Sequence, residues 1–272
     1  MMRARSRLFL TIAAFILCLS LAPAYAGEPT NTLQEVVNRG KVIVGVNAYL
    51  RPLEFTNPQT GEIVGLIPDL VNLYAKKLDV KVEFADFKWA GLFPALETKK
   101  VDFLAGNITT TIPRTAKMEF THPFLYTGER VILKKSLKIT KLVELNSDKI
   151  TFGVSKGSIH VETAEKRFPK AKVQRFDTFV DSVQALKAGR IDASIDDEIN
   201  VLVTGLQGNE AAFMVLPDNL LPQTYRFACR LGDIEMRRSL DVFFEEIKLT
   251  GEYKEIYEKW FNQKWEPRYI GN

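Results

Sequence analysis

Two similar stretches of this chain each lead to a polar side chain at the same distance. Residues 94–102 and residues 184–192 align at a constant offset of 90, and the same offset places Asn107 on Asp197. A carboxylate such as Asp197 can pair with a buried ammonium, which is costly to leave unpaired. Arg114 carries a guanidinium whose forked donors match a ligand carboxylate. These residue types indicate ligand binding before they indicate catalysis.

Catalytic and metal patterns are weak. Gly-Val-Ser-Lys-Gly at residues 153–157 has the spacing of a hydrolase nucleophile elbow. A triad would also need a histidine downstream of an acid, and the only histidine downstream is His160, with no oxyanion glycine motif before the serine. His122 is the only other histidine, and there is no cysteine cluster, so no metal-ligand spacing is present. We expect no catalytic residue, no metal and no cofactor.

The elements that must position these side chains alternate between strand and helix. The pattern predicts helices at 32–39, 69–78, 160–168, 178–188 and 233–261, the last broken near Gly251, and one more helix that ends near Lys99. It predicts strands at 41–46, 80–84, 101–105, 150–154, 172–176, 191–195 and 223–230. Such alternation is typical of an α/β fold with parallel sheets and βαβ crossovers.

Internal similarity indicates two lobes that face one cleft. Residues 42–46 and 150–154 both read as a strand that leads into a glycine loop. We expect the chain to cross between the lobes near 125–131 and to return near 221–227, so that two crossing strands form a hinge. Lobe 1 would then be discontinuous, with lobe 2 inserted between its two parts. The predicted ranges are 27–127 and 224–272 for lobe 1 and 128–223 for lobe 2.

Residues 1–26 have the pattern of a secretory signal. Three arginines in the first seven residues precede an apolar run from Leu8 to Leu21, and the segment ends in Ala-Tyr-Ala. An uncleaved anchor is the alternative, but the apolar run is short for a bilayer span. We predict cleavage after Ala26 and export to the periplasm. Without the three arginines the formal charge falls from +4 to about +1, and no basic run remains that would favour nucleic acid. The remaining cysteine, Cys229, leaves no internal disulfide, and we expect a monomer.

Five motifs occur in order along the mature chain, each of them weak alone. They are Gly45 with Pro52-Leu53-Glu54-Phe55, Gly61-Glu62-Ile63-Val64-Gly65 with Asp69-Leu70, Thr109-Thr110-Thr111-Ile112-Pro113-Arg114, Phe120-Thr121-His122-Pro123-Phe124, and Ala188-Gly189-Arg190-Ile191-Asp192. Together they resemble the periplasmic solute-binding proteins of family 3, which serve polar amino-acid ABC importers. The resemblance implies a two-lobed, type II periplasmic binding-protein fold. It also implies a free amino acid as ligand and an inner-membrane ABC permease as partner.

The resemblance also assigns roles to residues at the cleft. Arg114 is expected to grip the ligand's α-carboxylate, with help from Thr109 and from the Gly157-Ser158 loop, whose backbone amides can bind an anion. Asp197 is expected to accept the α-ammonium, and Asn107 to help bind the ligand's backbone groups. Each of these residues could instead be an ordinary turn or surface residue.

Side-chain selection is expected to depend on Trp89, Leu50 and Asn47. Leu50 stands where the family usually has an aromatic residue that stacks on the ligand, and Tyr49 is a possible substitute. Asn47 stands where members for cationic side chains often carry an acid, which disfavours lysine, arginine and ornithine. Whether His160 lines the cleft is left open.

An enzyme on the same fold is the alternative. Cyclohexadienyl dehydratases would need a general acid near the leaving hydroxyl. They resemble this chain less, because the expected Gly-Gly-Thr-Asn loop reads Lys-Gly-Ser-Ile at residues 156–159, and the expected glutamate corresponds to Asn200.

Overall fold

Strands and helices alternate through residues 31–261, the part of the chain that the computed structural model describes. The strands are β1 (Lys41–Val46), β2 (Tyr49–Leu50), β3 (Glu54–Thr56), β4 (Ile63–Val64), β5 (Lys81–Asp86), β6 (Phe103–Thr109), β7 (Met118–Phe120), β8 (Leu125–Lys134), β9 (Thr151–Ser155), β10 (Lys172–Phe176), β11 (Ala193–Asp197), β12 (Phe213–Val215) and β13 (Pro222–Arg230).

The helices are α1 (Thr32–Arg39), α2 (Leu66–Lys77), α3 (Trp89–Glu97), α4 (Ile112–Thr115), α5 (Ile159–Arg167), α6 (Phe179–Lys187), α7 (Glu198–Asn200), α8 (Ile234–Thr250) and α9 (Glu252–Phe261). Short 3₁₀ turns occupy Lys135–Leu137 and Leu142–Leu145, and a π-helical segment, Val201–Leu206, continues α7. The predicted signal segment, residues 1–26, lies outside the described residues. Within 31–261, no helix is both long enough and apolar enough to cross a membrane.

Ten strands form one mixed sheet in the order β10-β9-β11-β8-β13-β6-β1-β5, with β12 paired to β8 and β7 paired to β13. β1 pairs in parallel with β5 and β6, and β9 pairs in parallel with β10 and β11. Between these two parallel groups lie the long strands β8 and β13, which pair with each other antiparallel, Leu125 opposite Tyr225. The predicted α/β class and the two crossing strands are confirmed. β2, β3 and β4 form a small separate antiparallel sheet.

The buried apolar side chains follow the two parallel groups of strands. Around β1 and β6, Val44 and Phe103 pack with residues of α2 and α8, such as Leu70. Around β9 and β11, Phe152 and Ile195 pack with residues that include Ala164 of α5. This division into separate packed cores fits the two expected lobes. Each core would hold its own strands together when the hinge moves.

β6 and β11 extend further than their sequence patterns predict. The patterns end at residues 105 and 195, whereas the strands continue to Thr109 and Asp197. Each extension is paired with a crossing strand, Thr109 with Tyr225 of β13 and Asp197 with Glu129 of β8. Asn107 and Asp197 therefore lie inside strands, and the backbone hydrogen bonds of the sheet fix their direction.

Residues 42–46 and 150–154 each contain a glycine, and in both cases it lies inside a strand and not in a loop. Gly45 lies inside β1 and Gly153 inside β9. A Cβ atom on Gly45 would come within 2.7 Å of Leu104 Cδ2, and one on Gly153 within 2.2 Å of Ser182 Oγ. Both glycines therefore allow close packing against a neighbouring element, inside the strands predicted at 41–46 and 150–154, and neither begins a loop.

Candidate ligand-binding site

A cavity lies at the carboxyl ends of several strands. Asn47 follows β1, while Thr109, Ser155 and Asp197 end β6, β9 and β11. Open α/β sheets bind ligands at these strand ends. The cavity lining includes seven of the predicted site residues, namely Asn47, Trp89, Asn107, Thr109, Arg114, Ser158 and Asp197, together with Tyr49 and His160.

Two predicted site residues lie elsewhere. Leu50 is fully buried in the hydrophobic core, and its neighbour Tyr49 lines the cavity instead. A strand alternates its side chains between two faces, so adjacent residues of β2 cannot both point into the cavity. Gly157 lies in the turn before α5 with a φ of +73°, a backbone conformation that favours glycine. Its carbonyl accepts a hydrogen bond from Arg114 Nη2 at 3.4 Å.

Arg114 is held in place by contacts on both sides of the cavity. The Thr111 hydroxyl caps α4 by accepting from the Arg114 backbone N–H, and Arg114 Nη1 donates to the Thr109 carbonyl at 2.8 Å. The guanidinium carbon lies 5.1 Å from the centre of the Phe93 ring and 5.8 Å from that of Trp89. Burial lowers the pKa of Arg114, with Asp197 acting in the opposite direction. An arginine in a protein nevertheless stays protonated, so the cavity contains a fixed positive charge.

The Thr109 hydroxyl, which was predicted to help bind the carboxylate, and the Ser158 hydroxyl, whose loop was predicted to bind it through backbone amides, both donate to protein atoms. Thr109 Oγ1 donates to Gln223 Oε1 on β13 at 2.6 Å, and Ser158 Oγ donates to the Ser155 carbonyl at 2.8 Å. Either hydroxyl would have to exchange its partner in order to bind a ligand carboxylate. Their contribution to ligand binding stays a prediction.

Asp197 presents one carboxylate oxygen to the cavity without a partner. The side chain is buried, and its Oδ2 accepts a hydrogen bond from the Tyr225 hydroxyl at 2.7 Å. Among the described residues, Oδ1 has no hydrogen-bond partner, and the same holds for Asn107 Oδ1. Burial raises the pKa of Asp197 to about 7, although His160 counteracts it. Buried polar atoms are normally hydrogen-bonded, so these two acceptors indicate a ligand that carries N–H donors.

Three residues near Asp197 form a buried charged cluster. His160 Nε2 lies 3.6 Å from Asp197 Oδ1 and 3.8 Å from Asp196 Oδ1, and its Nδ1 lies 3.6 Å from Glu129 Oε1. Burial raises the pKa of Asp196 despite the nearby imidazole. His160, Asp196 and Asp197 could each offer an atom to a metal ion, since the three atoms lie within 4.8 Å of one another. Asp196 Oδ1 is already used, because it accepts from Asn200 Nδ2 at 2.8 Å.

Asn47, Tyr49 and Trp89 contribute an uncharged wall to the cavity. Asn47 Nδ2 donates to the Phe87 carbonyl at 2.7 Å, and the Tyr49 hydroxyl accepts from Asn200 Nδ2 at 3.0 Å. Burial raises the pKa of Tyr49 well above its usual value, so the phenol stays neutral. Trp89 Nε1 is buried and has no partner among the described residues. This wall combines aromatic surface with amide groups.

Sequence analysis missed three residues that lie behind the cavity. Glu129, Gln223 and Tyr225 occupy the crossing strands, where Gln223 Nε2 donates to Glu129 Oε1 at 2.6 Å. The sequence carried little signal, because Glu129 stands in the polar run Thr127-Gly128-Glu129-Arg130, and only the structure shows that it is fully buried in β8. A charged residue in such a strand needs a partner inside the protein.

Comparisons with known proteins identify the family of the chain. Residues 42–263 match the family described as bacterial extracellular solute-binding proteins, family 3. The ABC transporter glutamine-binding protein GlnH of Bacillus subtilis is 25% identical over 236 residues, which are 86% of this chain and 85% of that protein. A probable histidine-binding protein of Neisseria gonorrhoeae is 30% identical over 258 residues, 92% of this chain and 94% of that protein.

A solved structure has the same fold. It is that of an ancestral amino-acid-binding protein described as a precursor of cyclohexadienyl dehydratase, with 31% identity and a TM-score of 0.76. The match covers 85% of this chain and 100% of that one. By its description, that protein is an amino-acid-binding protein and not the dehydratase itself.

Proposed function

The chain belongs to the bacterial extracellular solute-binding proteins of family 3, and from this premise we propose that its cavity receives one free amino acid for an ABC importer. Its fold is the two-lobed, type II fold of amino-acid-binding proteins. The observation that supports the proposal most is that Arg114 and Asp197 line the same cavity. One cavity is lined by a fixed guanidinium and by a buried carboxylate oxygen, Asp197 Oδ1, that has no hydrogen-bond partner among the described residues.

These two groups match the two charged ends of an α-amino acid. Arg114 would receive the α-carboxylate, because a forked guanidinium can bind both carboxylate oxygens at once. Asp197 Oδ1 would receive the α-ammonium, and Asn107 Oδ1 would accept a second N–H of the same group. The match is supported because neither oxygen has a hydrogen-bond partner among the described residues. Trp89, Tyr49 and Asn47 would face the ligand side chain.

Ligand binding would act through the hinge formed by β8 and β13. In the proposed division, lobe 1 comprises residues 27–127 and 224–272 and lobe 2 comprises residues 128–223, so that both boundaries fall in the crossing strands. Arg114 and Asp197 would then approach the ligand from different lobes. A ligand that contacts both favours the closed arrangement by that difference in contacts. The closed monomer would be the form that the inner-membrane permease recognises.

A receptor that delivers a solute to an importer has to work outside the inner membrane, so the protein would be exported. The family is extracellular by description, and we propose that residues 1–26 are a signal peptide removed after Ala26. The mature chain would then work in the periplasm.

A thermal-shift screen tests the proposal. The mature protein, stripped of ligand, is heated with each of the twenty amino acids, ornithine, citrulline and prephenate. Ligand at one hundred times its Kd adds about 2.7 kcal/mol to stability, which for a chain of this size raises Tm by roughly 5–10 °C. We expect a shift with one or a few amino acids. A shift with prephenate alone would instead support the dehydratase, and no shift with any amino acid would contradict the receptor.

No observation favours the dehydratase over the receptor. The position expected to hold its glutamate is occupied by Asn200, whose Nδ2 donates to Asp196 Oδ1 at 2.8 Å and to the Tyr49 hydroxyl at 3.0 Å. An amide cannot replace a carboxylic acid as a general acid. Asn200 is better explained as a residue that orients Asp196.

A further inference from the structure

A hydrogen bond between Tyr49 and Asn200 closes the cavity at its side-chain wall. Tyr49 lies on β2 and lines the cavity, while Asn200 ends α7 and is fully buried. Asn200 Nδ2 donates to the Tyr49 hydroxyl at 3.0 Å. In the proposed division Tyr49 belongs to lobe 1 and Asn200 to lobe 2. The bond would therefore join the two lobes across the cleft.

The Asn200 amide is held in the orientation that this bond requires. Its Nδ2 also donates to Asp196 Oδ1 at 2.8 Å, an oxygen that already accepts from the Asp197 backbone N–H. Turning the amide over would bring the Asn200 oxygen against this acceptor, where no proton lies between the two oxygens. The two N–H groups of the amide therefore stay directed at Asp196 and at Tyr49.

A second cavity adjoins the first at Tyr49, and we call it the outer cavity. Its lining comes from the β2–β3 segment on one side, with Arg51 and Phe55, and from the π-helical segment after α7 on the other, with Thr204 and Gln207. Among the described residues, Tyr49 alone lines both cavities. The Tyr49 side chain therefore stands at the boundary between the space assigned to the ligand and the outer cavity.

We propose that the Tyr49–Asn200 pair determines the side-chain length that the receptor accepts, because it separates the ligand cavity from the outer cavity. This inference rests on the proposed function, since it assumes that the side chain of an amino acid faces Asn47, Tyr49 and Trp89. A side chain that ends before the Tyr49 ring is enclosed by protein. A longer one has to displace the ring and break the bond to Asn200, which lowers affinity. Both residues are specificity-determining for length, whatever the charge of the side chain.

The test measures affinity by calorimetry along two homologous series of amino acids. One series is asparagine, glutamine and homoglutamine, and the other is ornithine, lysine and homolysine, so that the result does not depend on side-chain charge. Each series is extended by one methylene at a time. In the wild type we expect affinity to fall by about tenfold or more at the member that reaches the ring. An affinity that does not fall along the series that binds overturns the inference.

Three variants show whether Tyr49 sets this limit. Tyr49→Ala joins the two cavities and should raise the affinity of the excluded member, relative to the preferred one, by about tenfold or more. Tyr49→Phe keeps the ring but loses the bond to Asn200, and should raise the same ratio by about threefold. Tyr74→Phe is the matched control, because its buried hydroxyl contacts Ser239 Oγ at 2.9 Å outside both linings. It should leave the ratio unchanged.

A second-site change locates the longer side chain. Thr204→Phe, added to Tyr49→Ala, fills the outer cavity and should restore the wild-type limit; a gain that persists in the double variant overturns the inference. An unchanged ratio in folded Tyr49→Ala also overturns it, and if that variant does not fold, an unchanged ratio in Tyr49→Phe does the same. If no amino acid binds the wild type, the proposed function itself fails.

Discussion

Replacing Arg114 by alanine should remove most of the binding energy for the α-carboxylate. A guanidinium has five N–H donors, and in this structure Nη1 and Nη2 each give one hydrogen bond to a backbone carbonyl, of Thr109 and of Gly157. Two further donors can bind a carboxylate, and each hydrogen bond to a charged group contributes about 1.5–3 kcal/mol. The loss is then about 3–6 kcal/mol, or roughly two to four orders of magnitude in Kd.

Arg114→Lys separates the charge from the forked geometry. Lysine keeps a positive charge but cannot donate two parallel hydrogen bonds. We expect it to lose about one of the two bonds, so that Kd weakens by roughly one to two orders of magnitude. An affinity close to that of the wild type would show that Arg114 acts as a charge alone.

The assay is calorimetric titration of the mature protein with the amino acid identified by the thermal-shift screen. Arg226→Ala is the matched control, because Arg226 is also partly buried and donates to a backbone carbonyl, that of Thr121, at 2.9 Å, but does not line the cavity. The control should bind within about twofold of the wild type, as expected for a site with no direct contact. If Arg114→Ala keeps its affinity within tenfold while still folding cooperatively, the carboxylate assignment is wrong.

Three other changes test the site and the fold. Asp197→Asn should weaken binding of the amino acid by about two orders of magnitude but leave a deaminated analogue unaffected, because only the ammonium needs the carboxylate; equal losses in calorimetry would contradict this role. Burial raises the pKa of Glu54 well above its usual value, although the Asn107 backbone N–H counteracts this. The folded protein therefore keeps the Glu54 carboxyl protonated at a pH where the unfolded chain has lost that proton. The stability this gives is complete below the unfolded pKa of about 4.3 and is lost as pH rises toward the folded pKa. Urea unfolding should therefore show the wild type losing stability relative to Glu54→Gln between pH 5 and pH 8, and parallel pH profiles would refute it. Gly153→Ala should cost about 1–3 kcal/mol by overpacking, since its Cβ would lie 2.2 Å from Ser182 Oγ; an unchanged urea midpoint would show that the packing yields.

Local sequence signals were sufficient to predict much of the fold. The helix ends at Gly40 and Gly251 follow from φ values of +65° and +85°, which glycine adopts without steric cost. The strand predicted at 172–176 matches β10, and the strand predicted at 80–84, where apolar and polar residues alternate, overlaps β5. The crossing strands could be placed from the internal similarity of the two parallel groups.

The ends of β6 and β11 could not be predicted in the same way. Their extensions to Thr109 and Asp197 depend on pairing with β13 and β8, which lie far away in sequence. Register with a distant strand leaves no local pattern, since it is set by the hydrophobic faces of the whole sheet.

The same distinction between local signals and distant contacts applies to the residues of the candidate site. Arg114 and Asp197 could be identified because each belongs to a short motif or to the internal repeat, and Trp89 because of its position in the family resemblance. The cluster of His160 with Glu129 joins residues from α5 and β8 that share no motif. Leu50 was placed in the cavity by position alone, and the alternation of β2 gives that place to Tyr49.

The most direct test of the receptor is a calorimetric comparison of the bound amino acid with two of its analogues, one without the α-carboxylate and one without the α-ammonium. We expect the amino acid to bind with a stoichiometry of one, and each analogue to bind at least about one hundredfold more weakly, because each leaves Arg114 or Asp197 buried without its ligand partner. An analogue that binds as tightly as the amino acid would contradict the assignment of the cavity to both charged ends of an α-amino acid.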